Sequence, residues 1–202
     1  GEGIATRFAA EGAKVVVNDL QAASAERVAA AIRDAGGAAV AVAADVSRGE
    51  DVHRLRDAAI EAFGAVQVLV NNAGTSHRNQ PMLGVTEAEF DRVYAVNVKS
   101  LYWAAQAFVP AMRAAGGGAL VTIASTAGVR PRPGLAWYNG SKGAAIVISR
   151  TMAVELAPDR IRVNVVNPVA GDTPLLATFM GEDTPEMRAK FLSGIPLGRF
   201  SM

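Results

Sequence analysis

The sequence predicts a single α/β domain built on a doubly wound parallel sheet, a three-layer α/β/α arrangement. Three observations predict it. Short apolar runs alternate with amphipathic helical stretches along the chain, glycines stand where helices should stop, and no linker, repeat or low-complexity block breaks the alternation. The 202 residues suit one core, so residues 1–202 are expected to form one domain.

Residues 4–11 read as an amphipathic helix closed by Glu11-Gly12, and Lys14-Val15-Val16-Val17-Asn18 as a buried parallel strand. An Ala-rich helix over 22–35 ends at Gly36-Gly37, Ala39 to Ala43 is a second strand, and a helix over 49–63 stops at Gly64. Val66 to Val70 is a third strand. Thr86-Glu87-Ala88-Glu89 has the spacing of a reciprocal cap, starting helix that runs to the glycines at 116–118 with a break near Asn97. Ala119 to Ala124 is a fourth strand, Trp137 to Leu156 a helix, and Ile161 to Val166 a fifth strand. Residues 173–192 read as helical, with Thr184-Pro185 opening a second piece.

Composition narrows the function. Half the residues are hydrophobic and only 6% aromatic, which excludes disorder and predicts an aliphatic core. A net charge of +1 gives nucleic-acid binding no electrostatic support. The absence of cysteine excludes disulfides, thiol catalysis and Cys-ligated zinc. His53 and His77 are the only histidines and lack a metal-spaced carboxylate pattern, so no metal is expected. His53 is expected on a solvated helix face and His77 in a polar loop. Gly1 to Ala5 shows no leader pattern, and the longest weakly polar stretch, Ala35 to Ala44, is far short of the ~20 residues that cross a bilayer. A soluble, cytoplasmic protein is expected.

In doubly wound sheets, ligands bind beyond the carboxyl ends of the strands. Asp19 follows the first visible strand, where it either accepts hydrogen bonds from a ribose or caps the next helix. Asp45-Val46 follows the second, as either a helix cap or an adenine contact, and Asn71-Asn72-Ala73-Gly74 the third, where small residues admit a ligand or make an ordinary turn. Ser125 follows the fourth and Asn167-Pro168 the fifth. Tyr138 and Lys142, four apart, share a helix face, and an ammonium there would lower the phenol's pKa. Alone, that pair also reads as a surface pair; Ser125 at a strand end strengthens it.

Taken in order, these residues, with Asn97 in Tyr94-Ala95-Val96-Asn97-Val98 and the run Asn167-Pro168 to Thr173, resemble the short-chain dehydrogenase/reductase family, on the Rossmann fold. Glucose-type dehydrogenases and 3-oxoacyl-carrier-protein reductases look closest. The resemblance implies hydride transfer between a nicotinamide and an alcohol or ketone. It implies that Tyr138 is the acid/base, Ser125 holds the substrate oxygen, and Lys142 tunes the tyrosine and binds the nicotinamide ribose. Asn97 would position the lysine and a proton relay. Asp19 and Leu20 would face the adenosine ribose, Asp45 and Val46 the adenine, and Asn72, Ala73 and Gly74 the middle of the cofactor. Pro168, Gly171 and Thr173 would lie near the nicotinamide. With Asn18, Asp19 and Leu20 where a phosphate-selecting site has Arg or Lys, NAD is implied over NADP. Residues 173–192 would be the substrate lid, and a homotetramer or homodimer is implied, assembled through the middle helix and the Tyr138 helix. Tyr102 and Trp103 on the middle helix would serve packing or subunit contact.

The sequence departs from the family pattern in places. Gly1 aligns with the last glycine of the phosphate loop, so the central first strand and most of that loop are absent, and Ile195 to Ser201 resembles a segment preceding a further helix and strand. A fragment is therefore expected. Pro168-Val169 replaces the usual Pro-Gly, and Gln67 stands where Asp is common. Two other readings remain: a nucleotide-binding but catalytically silent regulatory or scaffold protein, and a fragment inactive for want of its phosphate loop.

Overall fold

A computed structural model describes residues 1–171, 173 and 175–200. Pro174 of the expected lid and Ser201 of the C-terminal segment lie outside the described residues. The elements run α1 (Glu2–Ala10), β1 (Lys14–Asp19), α2 (Ala22–Asp34), β2 (Ala38–Ala43), α3 (Gly49–Phe63), β3 (Val68–Asn71) and α4 (Glu87–Tyr94). There follow α5 (Ser100–Ala114), β4 (Gly118–Ile123), α6 (Ala136–Glu155), β5 (Ile161–Val166), α7 (Leu175–Met180) and α8 (Pro185–Ser193). The expected strands form, each within two residues of its expected bounds.

The described strands make two sheets rather than one continuous sheet. β1 and β2 pair in parallel, from Lys14 opposite Ala38 to Asp19 opposite Ala43. The second sheet has the order β3-β4-β5. Its hydrogen bonds join starts to starts and ends to ends, which makes it parallel too. The Gly118 N–H donates to the Arg160 carbonyl (3.2 Å), the Ala119 N–H to that of Gln67 (2.8 Å), and the Ala124 N–H to that of Val166 (2.9 Å). The first element of the described residues is α1.

Two compact units emerge from the packing. One holds Gly1–Leu69, Ser100–Ala119 and Pro158–Ile161; the other holds Val70–Lys99, Leu120–Ala157 and the chain from Arg162. In the first, α2 buries Ala25, Val28, Ala29 and Ile32, the i, i+3, i+4, i+7 stripe of an amphipathic helix, against Val17 and Ala39. A second cluster joins Val52 and Leu55 of α3 to Ala107 and Phe108 of α5, with Ala44. Val46 and Trp103 pack against it; Trp103 is thus a packing residue, while Tyr102 is half exposed, at 53%.

In the second unit, Thr86 caps α4 as its spacing predicts: Oγ1 accepts from the Glu89 N–H (3.3 Å), and Glu89 Oε2 accepts from the Thr86 N–H (3.0 Å). The break expected near Asn97 is a π-helical turn, Ala95–Lys99. The helix expected over 173–192 is two, α7 and α8; Thr184 Oγ1 accepts from the Met187 N–H (3.2 Å), and Pro185 fills the first position of α8. Among the described residues no helix is long and apolar enough to cross a membrane.

Candidate active site

Ser125, at the end of β4, caps a short turn over Thr126–Gly128, its Oγ accepting from the Ala127 N–H at 3.1 Å. That turn lies hard against α6. A Cβ on Gly128 would come within 2.7 Å of the Gly143 nitrogen and the Lys142 carbonyl carbon, so only glycine permits the approach. The approach brings the Ser125 hydroxyl beside the phenol of Tyr138 on α6, and both residues are buried.

Lys142, one helical turn on, is buried with its Nζ 6.0 Å from the Tyr138 ring centre, donating to the Ile123 carbonyl at 2.9 Å. Asn97, displayed by the π turn, is buried and almost saturated. Its Oδ1 accepts from the Thr75 N–H, and its Nδ2 donates to the Thr75 carbonyl and to Ser141 Oγ, each at 2.9 Å. Ser141 in turn donates to the Tyr138 carbonyl at 2.7 Å. The four residues expected to be catalytic therefore come together, with Ser141 linking Asn97 to the tyrosine's backbone.

The electrostatics run against one expectation. Burial pushes the Tyr138 phenol above its usual pKa, and the Ser125 hydroxyl only partly offsets that. Burial also lowers Lys142 to about 8. The ammonium therefore loses its proton before the phenol does and cannot hold the phenolate down, so the expected lowering of Tyr138 is replaced by a rise.

The residues expected to meet the cofactor fall in both units. In the first, Gly1 caps α1, its carbonyl accepting from the Ala5 N–H at 3.0 Å. Asp19 is exposed at the end of β1, with Oδ1 accepting from the Gln21 N–H at 2.9 Å, and Leu20 is 69% exposed. Asp45 Oδ1 accepts from both the N–H and the hydroxyl of Ser47 (2.9 and 2.6 Å). Both aspartates thus make local turns with one carboxylate oxygen each, and neither caps a helix as its plainer reading expected: the N-cap positions of α2 and α3 are Gln21 and Arg48, with no side-chain cap.

In the second unit, the Asn72 N–H donates to the Val70 carbonyl at 3.0 Å, and Ala73 and Gly74 are exposed. A Cβ at Gly74 would stand 3.2 Å from Lys142 Nζ and 3.5 Å from Asn97 Oδ1. Pro168 accepts from the Thr126 N–H at 3.0 Å, Gly171 is half-buried, and Thr173 is exposed, its carbonyl accepting from the Leu176 N–H at 2.9 Å. Asn167 Oδ1 is buried without a donor. A cradle at Gly74 that a Cβ would fill beside the lysine, and an unanswered buried acceptor next to Pro168, suit a polar ligand rich in hydroxyl and amide groups.

Sequence reasoning missed several neighbours. His77 is fully buried rather than a polar loop residue, its Nδ1 bonded to the Arg78 carbonyl at 2.9 Å. In the first unit, His53 is half-buried rather than on a solvated face, its Nδ1 3.3 Å from Arg56 Nη1. Phe179 of α7 packs on the Tyr138 ring, centres 5.0 Å apart. Only Ser141 carried a signal, three residues after Tyr138 on the same helix. Among the described residues no cluster suited to a metal ion occurs.

Comparison with known proteins agrees with this geometry. The family model described as Enoyl-(Acyl carrier protein) reductase matches residues 1–201. The chain is 52% identical over 202 residues to 4-formylbenzenesulfonate dehydrogenase of Comamonas testosteroni, covering all of this chain and 80% of that protein. It is 37% identical to 7alpha-hydroxysteroid dehydrogenase of Escherichia coli, over 98% of this chain and 76% of the relative. Among solved structures, 3-ketoacyl-(acyl-carrier-protein) reductase from Brucella melitensis, complexed with NADH, superposes with a TM-score of 0.91 at 46% identity, over 99% of this chain and 79% of that one. A 7 alpha-hydroxysteroid dehydrogenase complexed with NADH and 7-oxo glycochenodeoxycholic acid gives 0.93 at 37% identity, over 100% and 77%. The chain belongs to the short-chain dehydrogenase/reductase family and is a nicotinamide-dependent oxidoreductase of alcohols and ketones.

Proposed function

We propose that the enzyme transfers hydride between NAD(H) and an alcohol or ketone carbon, with Tyr138 as the acid/base. The observation that carries this is the buried pairing of the Tyr138 and Ser125 side chains, with Lys142 one turn along α6. When bound, the nicotinamide supplies or accepts the hydride. Tyr138, whose burial favours the protonated phenol, donates its proton to the substrate oxygen in reduction and is left as phenolate. In oxidation it must first lose its proton and then, as phenolate, takes the one released by the alcohol. Ser125 holds that same oxygen through its hydroxyl. Lys142, with a pKa of about 8, is a cation at neutral pH and would hold the ribose hydroxyls beside Gly74. Asn97 fixes Thr75 and, through Ser141, the backbone of Tyr138.

Asp19 and Leu20 would face the adenosine ribose, Asp45 and Val46 the adenine, and Asn72, Ala73, Pro168, Gly171 and Thr173 the rest of the cofactor. The Asp19 oxygen not engaged by Gln21 supports NAD over NADP, because a carboxylate repels a 2′-phosphate. An aromatic carbonyl compound of the kind named for the Comamonas relative is the first substrate to try, supported by the Phe179 ring beside Tyr138. A homotetramer or homodimer assembled through α5 and α6 is supported by exposed apolar side chains there, Tyr102, Val147 and Val154. The absence of a membrane-spanning helix among the described residues is consistent with a cytoplasmic enzyme. In the test, Tyr138→Phe lowers turnover by about 10²–10⁴-fold while NADH affinity, read by fluorescence titration, stays within about twofold. Retained turnover would remove Tyr138 from its role.

A further inference from the structure

The last carbonyls of a helix have no partners within it, and α7, only six residues long, has few inner hydrogen bonds of its own. Its C-terminal end is answered from a distant loop. The Asn79 N–H donates to the Thr178 carbonyl (3.1 Å), Asn79 Nδ2 to that of Phe179 (3.0 Å), and the Arg78 guanidinium to that of Gly181 through Nε (3.2 Å) and Nη2 (2.9 Å). The loop that supplies these donors is itself held. Thr75 is bonded both ways to Asn97, Ser76 Oγ donates to the His77 carbonyl (2.8 Å), and the Gln80 N–H donates to the Gly134 carbonyl (3.0 Å). Gly134 has φ +81°, and a Cβ there would overlap Asn79 Oδ1, so the space for the Asn79 amide exists only because this residue is glycine. The consequence reaches the reacting groups. The helix end that Arg78 and Asn79 grip carries Phe179, whose ring lies on that of Tyr138.

We propose that Arg78 and Asn79 are positioning residues that cap α7 from outside and hold Phe179 over Tyr138, so that substrate enters and leaves by the opening of this clasp. The inference rests on Tyr138 as the acid/base. Asn79→Asp keeps the shape but replaces the Nδ2 donor with a second acceptor facing the Phe179 carbonyl; Arg78→Ala removes the other grip. Each is expected to raise KM for the alcohol about tenfold with kcat within about threefold, and to speed amide hydrogen exchange over residues 175–181 by about tenfold. Arg78→Lys, which keeps a charged donor, is expected to recover part of both effects. Unchanged KM and unchanged exchange in Asn79→Asp and Arg78→Ala would overturn the clasp, as would a fall in kcat at constant KM. The exchange measurement needs no turnover, so it stands apart from the Tyr138→Phe test: retained turnover there defeats the acid/base role, whereas unaltered exchange here defeats the clasp alone.

Discussion

Replacing Lys142 by methionine should make the folded protein more stable while stopping catalysis. The lysine is buried, and burial lowers its pKa from 10.5 to about 8. A shift of that size means the charged side chain costs the folded state about 3 kcal/mol at neutral pH. Methionine keeps most of the stem's packing and removes that charge, at the loss of the 2.9 Å bond from Nζ to the Ile123 carbonyl, which contributes about 1 kcal/mol. The net gain is about 2 kcal/mol at pH 7, or about 4–8 °C in Tm for a chain of this length. The sign depends on pH. Between pH 8 and 10.5 the unfolded chain binds a proton that the folded one has released, so the parent's stability rises with pH and the variant's advantage fades. Thermal unfolding of parent and variant at several pH values from 7 to about 10.5 reads this directly, because other titrating groups cancel in the comparison. A variant less stable at pH 7, or an advantage that does not change with pH, would refute the reasoning.

Other substitutions probe other contacts. Asp19→Ala is expected to narrow discrimination between NAD and NADP, measured as the ratio of kcat/KM values, by about 10–100-fold, the worth of about 1–3 kcal/mol of charged hydrogen bonding. An unchanged ratio would detach Asp19 from the ribose. Asn97→Ala strands both backbone groups of Thr75 and should cost about 2–4 kcal/mol in urea unfolding, with turnover falling as well. Gly128→Ala forces backbone against backbone and should cost about 1–3 kcal/mol, with turnover reduced because Ser125 is carried away from Tyr138; normal stability in that variant would contradict the close approach.

What the sequence disclosed was whatever depends on near neighbours. Alternation of runs disclosed the strands, Thr86 and Glu89 their reciprocal cap, and four-residue spacing the shared face of Tyr138 and Lys142. What it withheld depends on distant chain. His77 sits among polar residues in sequence, yet the fold encloses it. Arg78 and Asn79 meet carbonyls about a hundred residues away, a pairing without local pattern. The direction of the Tyr138 shift needed the depth of burial, and spacing supplies only the neighbouring charge. The pairing of the strands into two sheets is likewise set by distant chain, and no single run of residues records it.

The π turn at Ala95–Lys99 has a further consequence. Such a turn holds one residue more than an α-helix would, and each residue advances the helix by about 100°. Deleting one residue just ahead of Asn97 would restore regular winding and better backbone bonding, yet swing the amide about a quarter-circle away from Thr75 and Ser141. A more regular helix and a correctly aimed asparagine exclude each other here, and the fold has kept the asparagine.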